Sequence, residues 1–263
     1  MIELKLKNIK HNYIDKKGEN IHAIDGIDLD IQKGEFLAIL GASGCGKSTL
    51  LNIMSGILEP TEGEVLIRNQ PVNYKTQNIG YISQSDTLLP WRKIIDNVAL
   101  GLEIKGIKKE ERYEIAKKLM ESGGLSGFEF KYPYELSGGM KKRAIILRAL
   151  ATDPDIIFMD EPFGPLDVFT KELLQQEILK IWNEKELTVV YITHDIEEAI
   201  MLADRIILMS YRPSKIKKEY NIDLERPRNI YKLKSDSRFI SYRENIWDSI
   251  KDEVMKSREE DII

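Results

Sequence analysis

Gly41, Gly46, Lys47 and Ser48 have the residue types and the spacing of a phosphate cradle. They stand in the string GASGCGKST, in which Ala42, Ser43, Gly44 and Cys45 fill the turn and Thr49 leads onward. The glycines let backbone N–H groups turn inward towards phosphate oxygens, and the start of the following helix adds a favourable dipole. In such a loop Lys47 reaches the terminal phosphates and the hydroxyl of Ser48 binds Mg2+. The apolar FLAIL before the loop and TLLNIM after it supply the strand and the helix that this chemistry requires. Cys45 occupies a variable loop position without a catalytic role. A thiol among inward N–H groups at a helix start is expected to be acidified and open to a maleimide.

Asp160 and Glu161 close the run IIFM, and two acids at a strand end have two readings. They form a solvated edge or helix cap, or they serve the phosphate loop upstream. In the second reading Asp160 holds Mg2+ through water and Glu161 polarises an attacking water. His194 closes YIT, where a lone histidine is usually structural. Gln84 follows IGYIS and carries little information by itself. Ser137, Gly138 and Gly139, inside LSGGM (Leu136 to Met140), open a helix and so make a second anion site in the same chain.

The elements that must position these residues are legible in the hydrophobic pattern. Ile27, Leu29 and Ile31 alternate with Asp28, Asp30 and Gln32, which predicts an antiparallel strand with one wet face. FLAIL (36–40), DIIFM (155–159), TVVYI (188–192) and RIILM (205–209) are continuous apolar runs, the pattern of parallel strands buried on both faces. Strand signals vanish between Trp91 and Thr152. There Ile115 and Leu119, followed by Gly123, read as one amphipathic helix and its cap, and Ser137 opens another through Ile145, Ile146, Ala149 and Leu150. The stretch reads as a helical insertion into a parallel-sheet core. Phe239, Tyr242, Ile246, Trp247, Ile250 and Val254 then recur at helical spacing. This last helix either covers its own core or meets a partner.

Composition narrows the functions. The 39 basic and 43 acidic residues of the 263 give a net charge of −4, with no basic footprint for nucleic acid. Cys45 is the only cysteine, which suits a reducing compartment. The first residues lack the apolar segment of a signal peptide, and no apolar run approaches the ~18 residues of a membrane span. A soluble chain is expected, whose pore, if it serves transport, is another protein.

Taken in order, GASGCGKST, Gln84, LSGGM, IIFMDEP and His194 resemble the nucleotide-binding cassette of ABC transporters from about Leu4 to Arg228. The resemblance implies a P-loop NTPase (RecA-like) core with parallel sheet, an N-terminal antiparallel β subdomain and an inserted helical subdomain. The expected segments are 1–90 (antiparallel subdomain, P-loop and Gln84), 91–153 (helical subdomain), 154–215 (second part of the core) and 216–263 (a helical extension). It implies ATP and Mg2+ as cofactors, with Ser48, Gln84 and Asp160 towards the metal. Glu161, His194, Gln84 and Lys47 are then catalytic, His194 contacting the γ-phosphate. LSGGM corresponds to a signature loop with Met140 as a common importer variant. Ser137, Gly138 and Gly139 cap the ATP held by a second copy in a head-to-tail dimer. Tyr13 is the candidate to stack on adenine, its alternative being an ordinary strand aromatic. A stack reads no base edge, so ATP should be only weakly preferred over GTP. Pro165 departs from the small residue common in the loop Phe163 to Asp167.

Leu88-Leu89-Pro90-Trp91 is either tucked under its own helices or, as the resemblance implies, a dock for two membrane permease subunits, with a solute-binding protein acting through them. This element, FGPLD and the RP…RPR tail resemble the nitrate/sulfonate/taurine-type importers. A peripheral place on the cytoplasmic face of the membrane follows. The rival reading is a soluble ABC ATPase without a membrane partner, such as an iron–sulfur assembly scaffold. A plain P-loop kinase or GTPase would lack LSGGM.

Overall fold

A computed structural model describes residues 1–14, 18–74, 76–164 and 166–260, without the side chains of 230–231 and 258–260. The first elements are β1 (Ile2–Ile14), β2 (Asn20–Gln32), β3 (Phe36–Leu40), α1 (Lys47–Met54), β4 (Glu62–Ile67) and β5 (Gln70–Pro71). Next come β6 (Ile79–Ile82), α2 (Ile94–Val98), α3 (Leu100–Ile104), α4 (Lys109–Ser122), α5 (Gly138–Leu150), β7 (Ile156–Asp160) and α6 (Val168–Lys185). The chain ends with β8 (Thr188–Ile192), α7 (Ile196–Leu202), β9 (Arg205–Met209), β10 (Ile216–Asn221), α8 (Ile230–Leu233) and α9 (Ser237–Glu260). The fold is α/β, with parallel and antiparallel sheet, as expected. The chain forms two compact units, one of Met1–Gln77 with Glu186–Ile263 and one of Asn78–Lys185.

In the first unit β2, β1, β4 and β5 form an antiparallel sheet. Leu4, Leu6 and Ile9 of β1 pair with Ile31, Leu29 and Ile27 of β2, and all six are buried. The alternation in β2 is the cause: every second side chain must leave water, and one register puts them together. β3 lies between β8 and β9 in parallel register, with Ile39 opposite Ile192 and Leu40 beside Leu208. Every residue of β3 and β8 is buried, which accounts for their unbroken apolar runs.

The extension departs from expectation. It opens with β10, an antiparallel edge strand on β9, before the helices begin. Its sequence, IKKEYN, is mostly polar because an edge strand needs one inward side chain, here Tyr220, and charges elsewhere deter further pairing. α9 buries Phe239, Ile246 and Ile250 and packs on α7, while Trp247 stays 59% exposed.

The second unit holds the parallel pair β6 and β7 with helices α2 to α6. α4 ends at Gly123, and Gly124 beyond it has φ 66°. Leu119, Leu147, Leu150, Leu174 and Ile178 line an apolar cavity of about 170 Å3, and no candidate site residue lines it. No helix among the described residues is long and apolar enough to cross a membrane.

Candidate functional site

β3 delivers Gly41 from the centre of a buried sheet, and α1 leaves from Gly46, whose φ of 102° only glycine adopts without strain. The loop between is the predicted cradle. Lys47 is buried and folds back on it, its Nζ donating to the carbonyls of Gly41 (3.0 Å) and Ala42 (2.9 Å). Ser214 underpins the loop, its Oγ donating to the carbonyls of Cys45 and Ala23. Ser43 and Gly44 are exposed at the loop tip, and Ser48 opens outward in the first turn of α1.

Cys45 corrects an expectation. Its side chain is fully buried, against Gly41, and burial pushes the thiol up, outweighing the opposing Lys47 ammonium. Helix-start acidification requires a partly solvated sulfur, and here it is absent.

Tyr13 comes to the same loop, and His194 follows a strand that neighbours β3. The hydroxyl of Tyr13 lies 3.1 Å from that of Thr49, and its half-exposed ring meets His11 edge to face at 4.7 Å. His194 follows β8, whose carboxyl end adjoins that of β3 through the Thr193 N–H bond to the Ile39 carbonyl (3.3 Å). Open α/β sheets bind ligands at the carboxyl ends of their strands, and this is that end. A buried network steadies the histidine's turn. Glu198 accepts from the hydroxyls of Tyr191 and Thr193, Thr193 Oγ1 accepts from the Asp195 N–H, and Asp195 caps α7. Sequence reading passed over Glu198, although an acid in the apolar face of a helix was the available signal.

The second unit carries the remaining candidates. Asp160 ends β7 almost buried, and Glu161 follows at φ 42°, an uncommon conformation for a non-glycine residue. Beside them Tyr81 is pushed up to about 12 by burial and by the Asp160 carboxylate. Gln84 Nε2 donates to Glu161 Oε2 at 3.2 Å, which joins the two residues. Ser137 caps α5, its Oγ accepting from the Met140 N–H at 3.3 Å. A side chain on Gly139 would strike Thr170 of α6 at 2.5 Å, whereas Gly138 faces open space.

Leu88 to Trp91 is partly tucked and partly bare. Leu88 is buried, and Leu89 N–H donates to Oδ1 of the buried Asn97 at 2.7 Å. Asn97 Nδ2 donates in turn to the carbonyls of Leu89, Arg92 and Lys93. Trp91 is left 72% exposed. Pro165 lies outside the described residues. Beyond it, Asp167 Oδ1 accepts from the Thr170 N–H at 3.0 Å and starts α6.

Ser48 carries a hydroxyl, Gln84 an amide carbonyl and Asp160 a carboxylate, each an oxygen donor of the kind that Mg2+ takes. No group of three or more His, Cys, Asp or Glu that could hold a metal occurs among the described residues.

The family model described as "ABC transporter" matches residues 24–164. An uncharacterized ABC transporter ATP-binding protein of Methanocaldococcus jannaschii is 46% identical, across 97% of this chain and 94% of its own length. A taurine import ATP-binding protein of Rhizobium johnstonii is 41% identical, across 92% and 94%. A solved dimeric ATP-binding cassette in a post-hydrolysis state, bound to ADP and Pi, superposes with TM-score 0.76 at 36% identity, covering 84% of this chain and all of that one. Matched by the family model over more than half its length and by these relatives over nearly all of it, the chain belongs to the ABC transporter family.

Proposed function

We propose that the chain hydrolyses ATP to drive import of a small nitrate-, sulfonate- or taurine-like solute through separate membrane subunits. The contact of Gln84 with Glu161 carries this reading, because it joins a water-positioning amide to a carboxylate at the end of a buried strand. Lys47 and the loop from Gly41 to Thr49 hold the phosphates, with Tyr13 against adenine. Glu161 accepts a hydrogen bond from the attacking water and orients it, and His194 contacts the γ-phosphate. As the water oxygen bonds to the γ-phosphorus, the bond to the ADP oxygen breaks and phosphate leaves. Ser48, Gln84 and Asp160 would hold Mg2+, which neutralises charge on the phosphate oxygens when bound.

Ser137, Gly138 and Gly139 serve the ATP of a second copy, packed head to tail. The dimeric state of the similar cassette supports self-association. Exposed Trp91, on a turn braced by Asn97, is the surface for the membrane subunits. The solute class is supported by relatives that carry the name of taurine import ATP-binding proteins. The chain then works on the cytoplasmic face of the membrane as a peripheral subunit.

The test is a pair of variants. Lys47→Ala should abolish ATPase activity with the fold intact, since the ammonium serves phosphate charge. Glu161→Gln should bind ATP but lower kcat by about 100-fold or more, the amide keeping the shape without the charge. ATP should then hold the variant as a dimer by light scattering. Normal turnover in both folded variants would contradict the assignment.

A further inference from the structure

α5 turns three cations onto one short loop. Lys141 lies 4.0 Å from the carboxylate of Asp86. Arg148 donates to the Thr87 carbonyl at 2.7 Å and to its hydroxyl. Lys142 lies between them in sequence and differs from both, being only 5% exposed. Its Nζ donates to the backbone carbonyl of Gln84 at 2.8 Å. Burying an ammonium is costly unless it is bonded, and an unbranched apolar side chain such as methionine would fill the same space without that cost. The burial lowers the pKa of Lys142 despite the opposing Asp86 carboxylate, so the position is a strained choice for stability alone.

What the bond restrains is the residue that touches Glu161. Gln84 is exposed, and an exposed glutamine has many rotamers to lose when it is held in one. Among the described contacts, Lys141 and Arg148 fix the loop at residues 86 and 87, and Lys142 fixes it at residue 84 itself. A line of two hydrogen bonds then runs from α5 through Gln84 to Oε2 of Glu161. α5 is the helix that Ser137 opens, so the line starts in the element that carries the second anion site.

We propose that Lys142 is a positioning residue for hydrolysis, holding the backbone of Gln84 so that its amide stays on Glu161. The inference rests on the roles proposed above for Gln84 and Glu161. Its test is a double-mutant cycle on the full chain: wild type, Lys142→Met, Gln84→Ala and the double variant, each assayed for steady-state ATPase and for melting temperature. Lys142→Met should lower kcat about 10-fold with KM for ATP within about twofold, a loss confined to the reacting state. Its melting temperature should not fall. In the Gln84→Ala background the same substitution should change kcat by less than about twofold, because Lys142 acts through Gln84. Lys142→Arg, which keeps a donor, should recover kcat to within about threefold of wild type. Lys142→Leu, which also lacks a donor, replaces Lys142→Met in the cycle should that variant not fold.

An unchanged kcat in Lys142→Met, or an equal fall in both backgrounds, overturns the proposal and leaves the site reading standing. A Gln84→Ala chain with normal turnover overturns the site reading, and this inference with it.

Discussion

Cys45 shows how one residue is decided by competing effects. Its neighbours in sequence predict an acidic thiol, because N–H groups and a helix start stabilise a thiolate. Packing against Gly41 removes the sulfur from water, and desolvation outweighs those dipoles and Lys47. The folded chain should therefore react with a maleimide at neutral pH at least about tenfold more slowly than the same chain in denaturant. Rapid stoichiometric labelling of the folded chain would contradict the burial. Most residues of the proposed site are legible because the proposed chemistry restricts their type: a phosphate loop calls for Lys47 and its glycines, and a water-orienting acid at a strand end calls for Glu161. Lys142 and Asn97 were not legible. Their work lies in bonds to backbone atoms, and a spacing rule carries no trace of such bonds.

At the scale of elements, the strands were readable wherever burial imposed a pattern. Alternation gave away β2, and unbroken apolar runs gave away β3, β7, β8 and β9. β10 was not readable, because an edge strand that buries only Tyr220 leaves a polar sequence. The RP…RPR tail carries part of the resemblance, and the structure supplies its physics. Arg228 donates to the carbonyls of Ile200, Met201 and Ala203, and Arg226 to that of Leu202, so the pair satisfies the end of α7.

α9 is attached by apolar side chains, each contributing about 1.5–3 kcal/mol when fully buried, and by one buried acid. Glu253 accepts from Tyr211 N–H (2.7 Å), Lys217 (2.7 Å) and Lys256 (3.3 Å). Burial alone would raise its pKa, but these donors outweigh it and hold the carboxyl below the ordinary 4.5. A depressed folded value stabilises the fold above the unfolded value and loses that effect as pH falls. Glu253→Gln should cost about 1.5–3 kcal/mol at neutral pH, the range for hydrogen bonds to a charged group. The difference from wild type, followed by denaturant melts, should shrink as pH drops below about 4.5. A difference independent of pH would place the effect in packing instead.

At the scale of the whole molecule, the chain presents two helix starts to which anion binding is proposed, α1 behind Gly46 and α5 behind Ser137, one in each compact unit. A two-fold dimer sets residue i of one copy against residue j of the other, twice, so two such sites per chain can make two composite sites per dimer. The account assigns Lys47 of one copy and Ser137 of its partner to the same ATP. Under that proposal the helix start behind Ser137, where Gly138 opens onto free space, has the partner's nucleotide to serve.

The most direct measurement is ATP occlusion by mixed dimers in a Glu161→Gln background, which stops turnover. One chain also carries Lys47→Ala and the other Ser137→Arg. Each alone forms dimers with a lesion in both sites and should occlude no ATP. Mixed in equal amounts, about half of the dimers pair unlike chains. These hold one site with both lesions and one with neither, so labelled ATP should be retained at one per mixed dimer. If the mixture retains no more ATP than its parents, Lys47 and Ser137 serve one nucleotide within a single chain, and the head-to-tail account is wrong.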